Sequence, residues 1–281
     1  MPRYLPLSPG HDSLAYPHGP NILMCLIALA WQYHPTHALV VAANRDEFYR
    51  RPATAAARWP DDSRIVAGRD EEQGGTWLGI AEHGRFAAIT NARGGGGAKD
   101  APSRGFLVRD FLQGTDPVED CAANIMAEIH RYAGCNLLLA DAGQLWYITN
   151  HPQPERRQLA PGLHALSNGH IDHLWPKMQK VRDGLGERLA GNEIDHSSLF
   201  DMMTDRSPAN KQDLPNTGVG KVLERQLSPV FIRLPVYGTR CTTVLSVDNN
   251  GQAKFSERRF NAGGRVDGET TIDLQLAWST G

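Results

Sequence analysis

Cys25 directly follows Met24, and downstream Asn44-Arg45-Asp46-Glu47 places an amide, a guanidinium and two carboxylates in succession. Were the chain to begin at Met24 and lose that residue, Cys25 would carry both a thiol and a free α-amine. A thiol has a pKa of about 8.5 and an α-amine about 7.7–8.0, so the amine is matched to take the thiol proton near neutral pH. A nucleophile that carries its own base is one known form of nucleophile–base catalysis. The other reading of Cys25 is a small apolar residue in a buried strand, the common fate of a free cysteine.

Two elements must position these groups. Residues 25–33 and 38–43 are apolar runs joined at His34-Pro35-Thr36-His37, which reads as a buried hairpin delivering the polar tetrad at its strand end. Polar residues in a row are costly to bury and useful when they line a site.

Further strands are expected at 65–67, 76–80, 86–90, 136–140, 145–148, 163–166, 239–247, 253–259 and 272–278. Asn249-Asn250-Gly251 is a strong hairpin turn. Helices are expected at 103–112 with Ser103 as N-cap, at 117–130, at 175–189 and at 197–204. Residues 48–60 read as an irregular basic segment and 207–215 as polar loop. The alternation of strand and helix blocks fits an α+β domain. It leaves open whether two packed antiparallel sheets or one simpler sheet carries it.

Composition narrows the function classes. Lys+Arg number 29 and Asp+Glu 31, a net charge of −2 that provides no global field for nucleic acid. No apolar run reaches the roughly 20 residues of a membrane-spanning helix. The four cysteines, at 25, 121, 135 and 241, form no C-x-x-C pair, which argues against a zinc site or disulfide scaffold and fits a cytoplasmic protein. His170 and His173 lack a third ligand and read as a surface turn, so no metal is expected. Trp77 and Trp175 read as core or cleft wall. Gly94–Gly97 can admit a ligand close to backbone but lacks the spacing of a phosphate loop. Residues 1–23 hold five prolines and no apolar signal segment. Three readings stand: a start assigned upstream of Met24, which we favour, a disordered tail, or a propeptide cut at Cys25. Residues 24–281 are expected to form one domain.

The tetrad resembles the signature of the NRDE family, the relatives of transport and Golgi organisation protein 2. Gly74-Gly75-Thr76-Trp77-Leu78-Gly79, Thr90-Asn91-Ala92-Arg93, Asn136-Leu137-Leu138, Ser167-Asn168, Trp175-Pro176-Lys177 and Tyr237-Gly238-Thr239-Arg240 match in the same order. Members usually begin Met-Cys, which implies Met24 as the start. The resemblance implies the four-layer αββα sandwich of N-terminal nucleophile hydrolases, two antiparallel sheets flanked by helices. It implies a cysteine amidohydrolase cleaving a C–N amide bond of a small molecule. Cys25 would be the nucleophile, Asp46 its orienting carboxylate, and Asn91 and Asn168 the two active-site asparagines. Asn44, Arg45, Arg93 and Arg240 would bind substrate.

The cysteine acylases of that fold carry Arg-Asn-x-Asp, whereas this chain exchanges Asn and Arg and shortens the spacing. A one-residue slip reverses the face of a side chain. That departure predicts Arg45 facing away from Cys25, with Asn44 and Asp46 on the cleft side. It motivates the alternative of a non-catalytic binding or trafficking protein for haem or an acyl ligand. The eukaryotic relatives are linked to Golgi organisation, lipid balance and haem mobilisation. No cofactor is expected on the hydrolase reading.

Overall fold

In the computed structural model, which describes residues 24–97 and 100–278, the first two strands carry apolar side chains on both faces. β1 (Met24–His34) and β2 (His37–Phe48) form an antiparallel hairpin across Pro35-Thr36. Ile27, Leu29 and Trp31 turn to one side, and Leu26, Ala28 and Ala30 to the other. Both sets are buried, which is why the segment reads as a continuous apolar run rather than an alternating one.

β1 and β2 lie within a six-stranded antiparallel sheet. In the chain, seven strands of a second sheet come between them and their remaining partners. That second, seven-stranded antiparallel sheet runs β3 (Ala53–Arg58), β4 (Ile65–Asp70), β5 (Leu78–Ala81), β6 (Arg85–Asn91), β7 (Cys135–Ala140), β8 (Leu145–Thr149) and β9 (Glu155–Gln158) in chain order. The first sheet is completed by β10 (Gly162–Leu166), β11 (Tyr237–Asp248), β12 (Gln252–Phe260) and β13 (Val266–Gln275), in the spatial order β10-β1-β2-β11-β12-β13.

The sheets pack face to face. Ile27, Leu29 and Trp31 meet Phe86, Leu138 and Tyr147 in one core. α1 (Gly105–Gln113) and α2 (Val118–Glu128) cover the outer face of the second sheet through Leu107, Val108, Phe111 and Ala122. α3 (Pro176–Arg188) and α4 (His196–Met202) cover the first sheet through Met178, Val181, Leu185 and Phe200. α5 (Lys221–Leu227) places Leu227 beside Met24. The layers are therefore helix, sheet, sheet, helix, the αββα arrangement expected, with both faces of each sheet covered.

Several elements differ from expectation. β2 continues to Phe48, so Asn44–Glu47 lies inside a paired strand rather than beyond its end. β3 replaces part of the irregular segment. Its alanines have little strand preference, but pairing with β4 and the bond from Ala56 N–H to Glu257 hold it extended. β9 and α5 were not anticipated. Charged β9 is a sheet edge, where such residues suit exposure. The last strand ends at Gln275, earlier than expected, and Trp278 folds back to sit 6.0 Å from Trp31. Ser103 makes no capping bond; α1 starts at Gly105 after Arg104. The upstream segment 1–23 lies outside the described residues. Among the described residues the four cysteines are free, and no helix is long and apolar enough to cross a membrane.

Candidate active site

Four side chains stand in a row across the first sheet. Cys25 on β1 pairs with Arg45 on β2, Arg45 with Cys241 on β11, and Cys241 with Arg259 on β12. Direct cross-strand partners leave a sheet on the same face. All four line one cleft of about 600 Å³ between the sheets. Asn91, at the end of β6, and Arg104, before α1, close it from the other side.

This register corrects the expected facing of the tetrad. Arg45 shares the face of Cys25. Asn44, in contrast, pairs with Leu26 and turns to the helix layer. It does not line the cleft. Its amide donates to Met203 O and Val230 O, both at 2.9 Å, and its oxygen accepts from the Thr242 hydroxyl at 2.6 Å. Asn44 is thus a fully bonded buried amide joining β2 to the helix layer. Asp46 pairs with Met24, yet borders the cleft. Its Oδ1 accepts from Thr239 Oγ1 at 2.6 Å, while its buried Oδ2 has no hydrogen-bond partner.

The remaining expected residues divide between the cleft and its support. Arg240 lines the cleft, and its Nη1 donates to the carbonyls of Phe48 (2.9 Å) and Arg51 (3.0 Å). Asn168 is buried away from the cleft lining and donates to Asn91 O at 2.7 Å, so it holds the Asn91 backbone. Ser167 Oγ donates to Cys25 O at 2.8 Å, tying this turn to β1. Arg93 also does not line the cleft. It lies behind Met24, paired with Glu224 at 3.0 Å and Thr217 Oγ1 at 2.7 Å.

Arg45 lies 3.5 Å from Asp70 and 3.8 Å from Glu47, and Arg51 binds Asp70 at 2.6 Å. Burial raises the pKa of Glu47, against the pull of Arg45. Burial, and then the Asp46 charge, push the Cys25 thiol up to about 12; Arg45 and the Asp46 backbone N–H act in the opposite direction. With Met24 attached, this thiol is therefore a poor nucleophile. Asp46 is raised to about 7 by burial, opposed chiefly by Lys177. Burial lowers Lys177 to about 8, opposed chiefly by Asp46.

Sequence reading missed Lys177, Arg104, Tyr237, Cys241 and Glu257. Lys177 had a legible signal: it occupies the same helical stripe as buried Val181 and Leu185, where a charge is unexpected. Arg104 had none, since only folding brings it to the cleft. Glu257 bonds Ala56 N at 2.9 Å and takes a hydrogen bond from the Cys241 thiol. Among the described residues no histidine lines the cleft, the Cys25 and Cys241 thiols are its soft donors, and no cluster is suited to a metal ion.

The family model described as "Transport and Golgi organisation 2" matches residues 24–262. The Bos taurus "Transport and Golgi organization protein 2 homolog" is 32% identical over 268 residues, 88% of this chain and 97% of that protein. The Homo sapiens homolog is 32% identical over 266 residues, 84% of this chain and 92% of that protein. Among solved structures, a Caenorhabditis elegans N-acylethanolamine-hydrolyzing acid amidase ortholog superposes with a TM-score of 0.46 at 11% identity, covering 78% of this chain and 92% of that one. From the extent of these sequence matches, the chain belongs to the Transport and Golgi organisation 2 family.

Proposed function

We propose that, after removal of Met24, the protein hydrolyses a C–N amide bond of a small molecule with Cys25 as nucleophile. The observation that carries this reading is the placement of Cys25 at the wall of the inter-sheet cleft, beside Arg45 and across from Asn91.

The α-amine of Cys25 takes the thiol proton, and the sulfur attacks the amide carbonyl. The Asn91 side chain donates to the developing oxyanion, a contribution worth about 3–4 kcal/mol for one preorganised donor. Collapse expels the amine, which takes the proton back from the α-ammonium, and leaves an acyl thioester on Cys25. Water, deprotonated by the same α-amine, then attacks the thioester; the C–S bond breaks, the acid leaves, and the Cys25 sulfur takes the proton back from the α-ammonium. Arg45 and Arg240 favour substrates with negative or strongly polar groups at that end of the cleft.

The test is a screen of amide and acyl-amide substrates with protein whose intact mass shows Cys25 as first residue. Turnover is expected in that form and lost in Cys25→Ala. Turnover retained by Cys25→Ala, or no turnover across the screen, overturns the reading.

A further inference from the structure

We propose that Lys177 is a positioning residue for the Cys25 α-amine, acting through Asp46: once Met24 has left, its ammonium keeps the Asp46 carboxylate charged and available to orient that amine. This rests on the reading that Cys25 becomes the first residue.

The chamber behind Cys25 is mismatched to its present occupant. The Met24 sulfur, a weak acceptor, lies 2.7 Å from Arg93 Nη2 and 3.9 Å from Lys177 Nζ. Lys177 is 4% exposed and, among the described residues, has one oxygen partner, Leu227 O at 3.1 Å. Asp46 Oδ2 is buried without a partner. A buried ammonium short of acceptors and a buried carboxylate short of a donor are each costly. The ammonium faces the Met24 side chain, and the carboxylate belongs to the cross-strand partner of Met24. Met24 N–H already donates to Tyr237 Oη at 2.6 Å, and that hydroxyl donates to Asp46 O at 3.2 Å. Removing Met24 leaves a polar chamber at the new α-amine.

Lys177 cannot turn to water. It follows Pro176 in the first turn of α3, on the stripe shared with Val181 and Leu185, which directs its side chain at the first sheet. The charges around the pair come from every neighbouring element. Arg45 and Glu47 flank Asp46 on β2, and Cys25 lies on β1. Arg93 follows β6, Glu224 belongs to α5, and Tyr237 begins β11. Arg93 and Glu224 pair with each other. Lys177 is the leading charge opposing the burial of Asp46, and Asp46 that opposing the burial of Lys177.

A charged Asp46 accepts one amine N–H and leaves the nitrogen lone pair free for the thiol proton. A protonated Asp46 donates to that lone pair and blocks it. Loss of Lys177 therefore removes the reactive form at the acid end of the pH range.

The probe is iodoacetamide, with the rate of Cys25 alkylation followed by peptide mass spectrometry across pH in the Cys25-first protein. In Lys177→Met the acidic limb is expected to move up by about one pH unit, a roughly tenfold slower reaction on that limb. Lys177→Arg restores most of the limb. In an Asp46→Asn background, Lys177→Met adds no further shift, and in protein that retains Met24 it moves no limb upward. Superimposed limbs for wild type and a Lys177→Met variant that melts cooperatively overturn the proposal. So does an equal change in the Met24-retaining form. Should Lys177→Met fail to fold, Lys177→Gln carries the same comparison. Alkylation needs no substrate, so failure of the hydrolase reading shows as absent turnover with the limb shift intact.

Discussion

Cys25 and Arg45 are direct cross-strand partners on β1 and β2, so the thiol and the guanidinium enter the inter-sheet cleft side by side. Met24 and Asp46, one step along, are partners in the same way. The Cys25 and Asp46 side chains thus leave opposite faces of one sheet, from neighbouring positions in the register.

Removal of Met24 should therefore control the reactivity of Cys25. With Met24 attached the thiol is pushed up to about 12. Its thiolate fraction at pH 8 is then on the order of 10⁻⁴. Alkylation of Cys25 is expected to be at least about tenfold faster in the Cys25-first form, where the α-amine acts as base. Iodoacetamide kinetics on the two forms, separated by intact mass, check this.

Asn44 should matter for stability rather than for cleft chemistry. Asn44→Ala strips partners from Met203 O, Val230 O and Thr242 Oγ1. The expected loss is about 2–4 kcal/mol for leaving buried polar groups unsatisfied. Urea unfolding measures it. In the folded fraction, the pH profile of Cys25 alkylation is expected to stay that of wild type.

Glu257 should make stability pH-dependent with a defined sign. Burial raises its pKa in the folded chain. The native state therefore holds this proton to higher pH than the unfolded chain, and its stability falls as pH rises above the ordinary carboxyl range. Glu257→Gln lacks that loss. Its stability relative to wild type is expected to improve from about pH 4 to about pH 8. Urea midpoints at the two pH values test this; an unchanged difference would count against a buried, proton-holding Glu257.

Gly75 should tolerate no side chain. A Cβ there would lie 2.6 Å from Gly105 C, and both residues border the cleft beside Arg104. Backbone must move, so Gly75→Ala is expected to cost about 1–3 kcal/mol. That corresponds to about 2–4 °C in Tm per kcal/mol for a domain near this size, readable in a thermal melt.

The apolar runs of β1 and β2 were legible because burial on fixed faces imposes a local residue pattern, and the turn at Asn249-Asn250-Gly251 because those residues suit a tight hairpin. So were Cys25 and the polar tetrad, since such residues in succession are costly inside a strand without a purpose. Local pattern did not reveal the facing of that tetrad. Asn44 and Arg45 are both buried polar residues of one strand, and only the register with Leu26 and Cys25 assigns one to the helix layer and the other to the cleft. Arg104, Cys241 and Glu257 come from distant segments, and Arg93 and Asn168 were read into the site from sequence but support it from behind. Chain order thus determined which groups were available and which stretches formed strands. Long-range pairing decided which of those groups meet, because a strand's side chains alternate in direction and its partners set the phase.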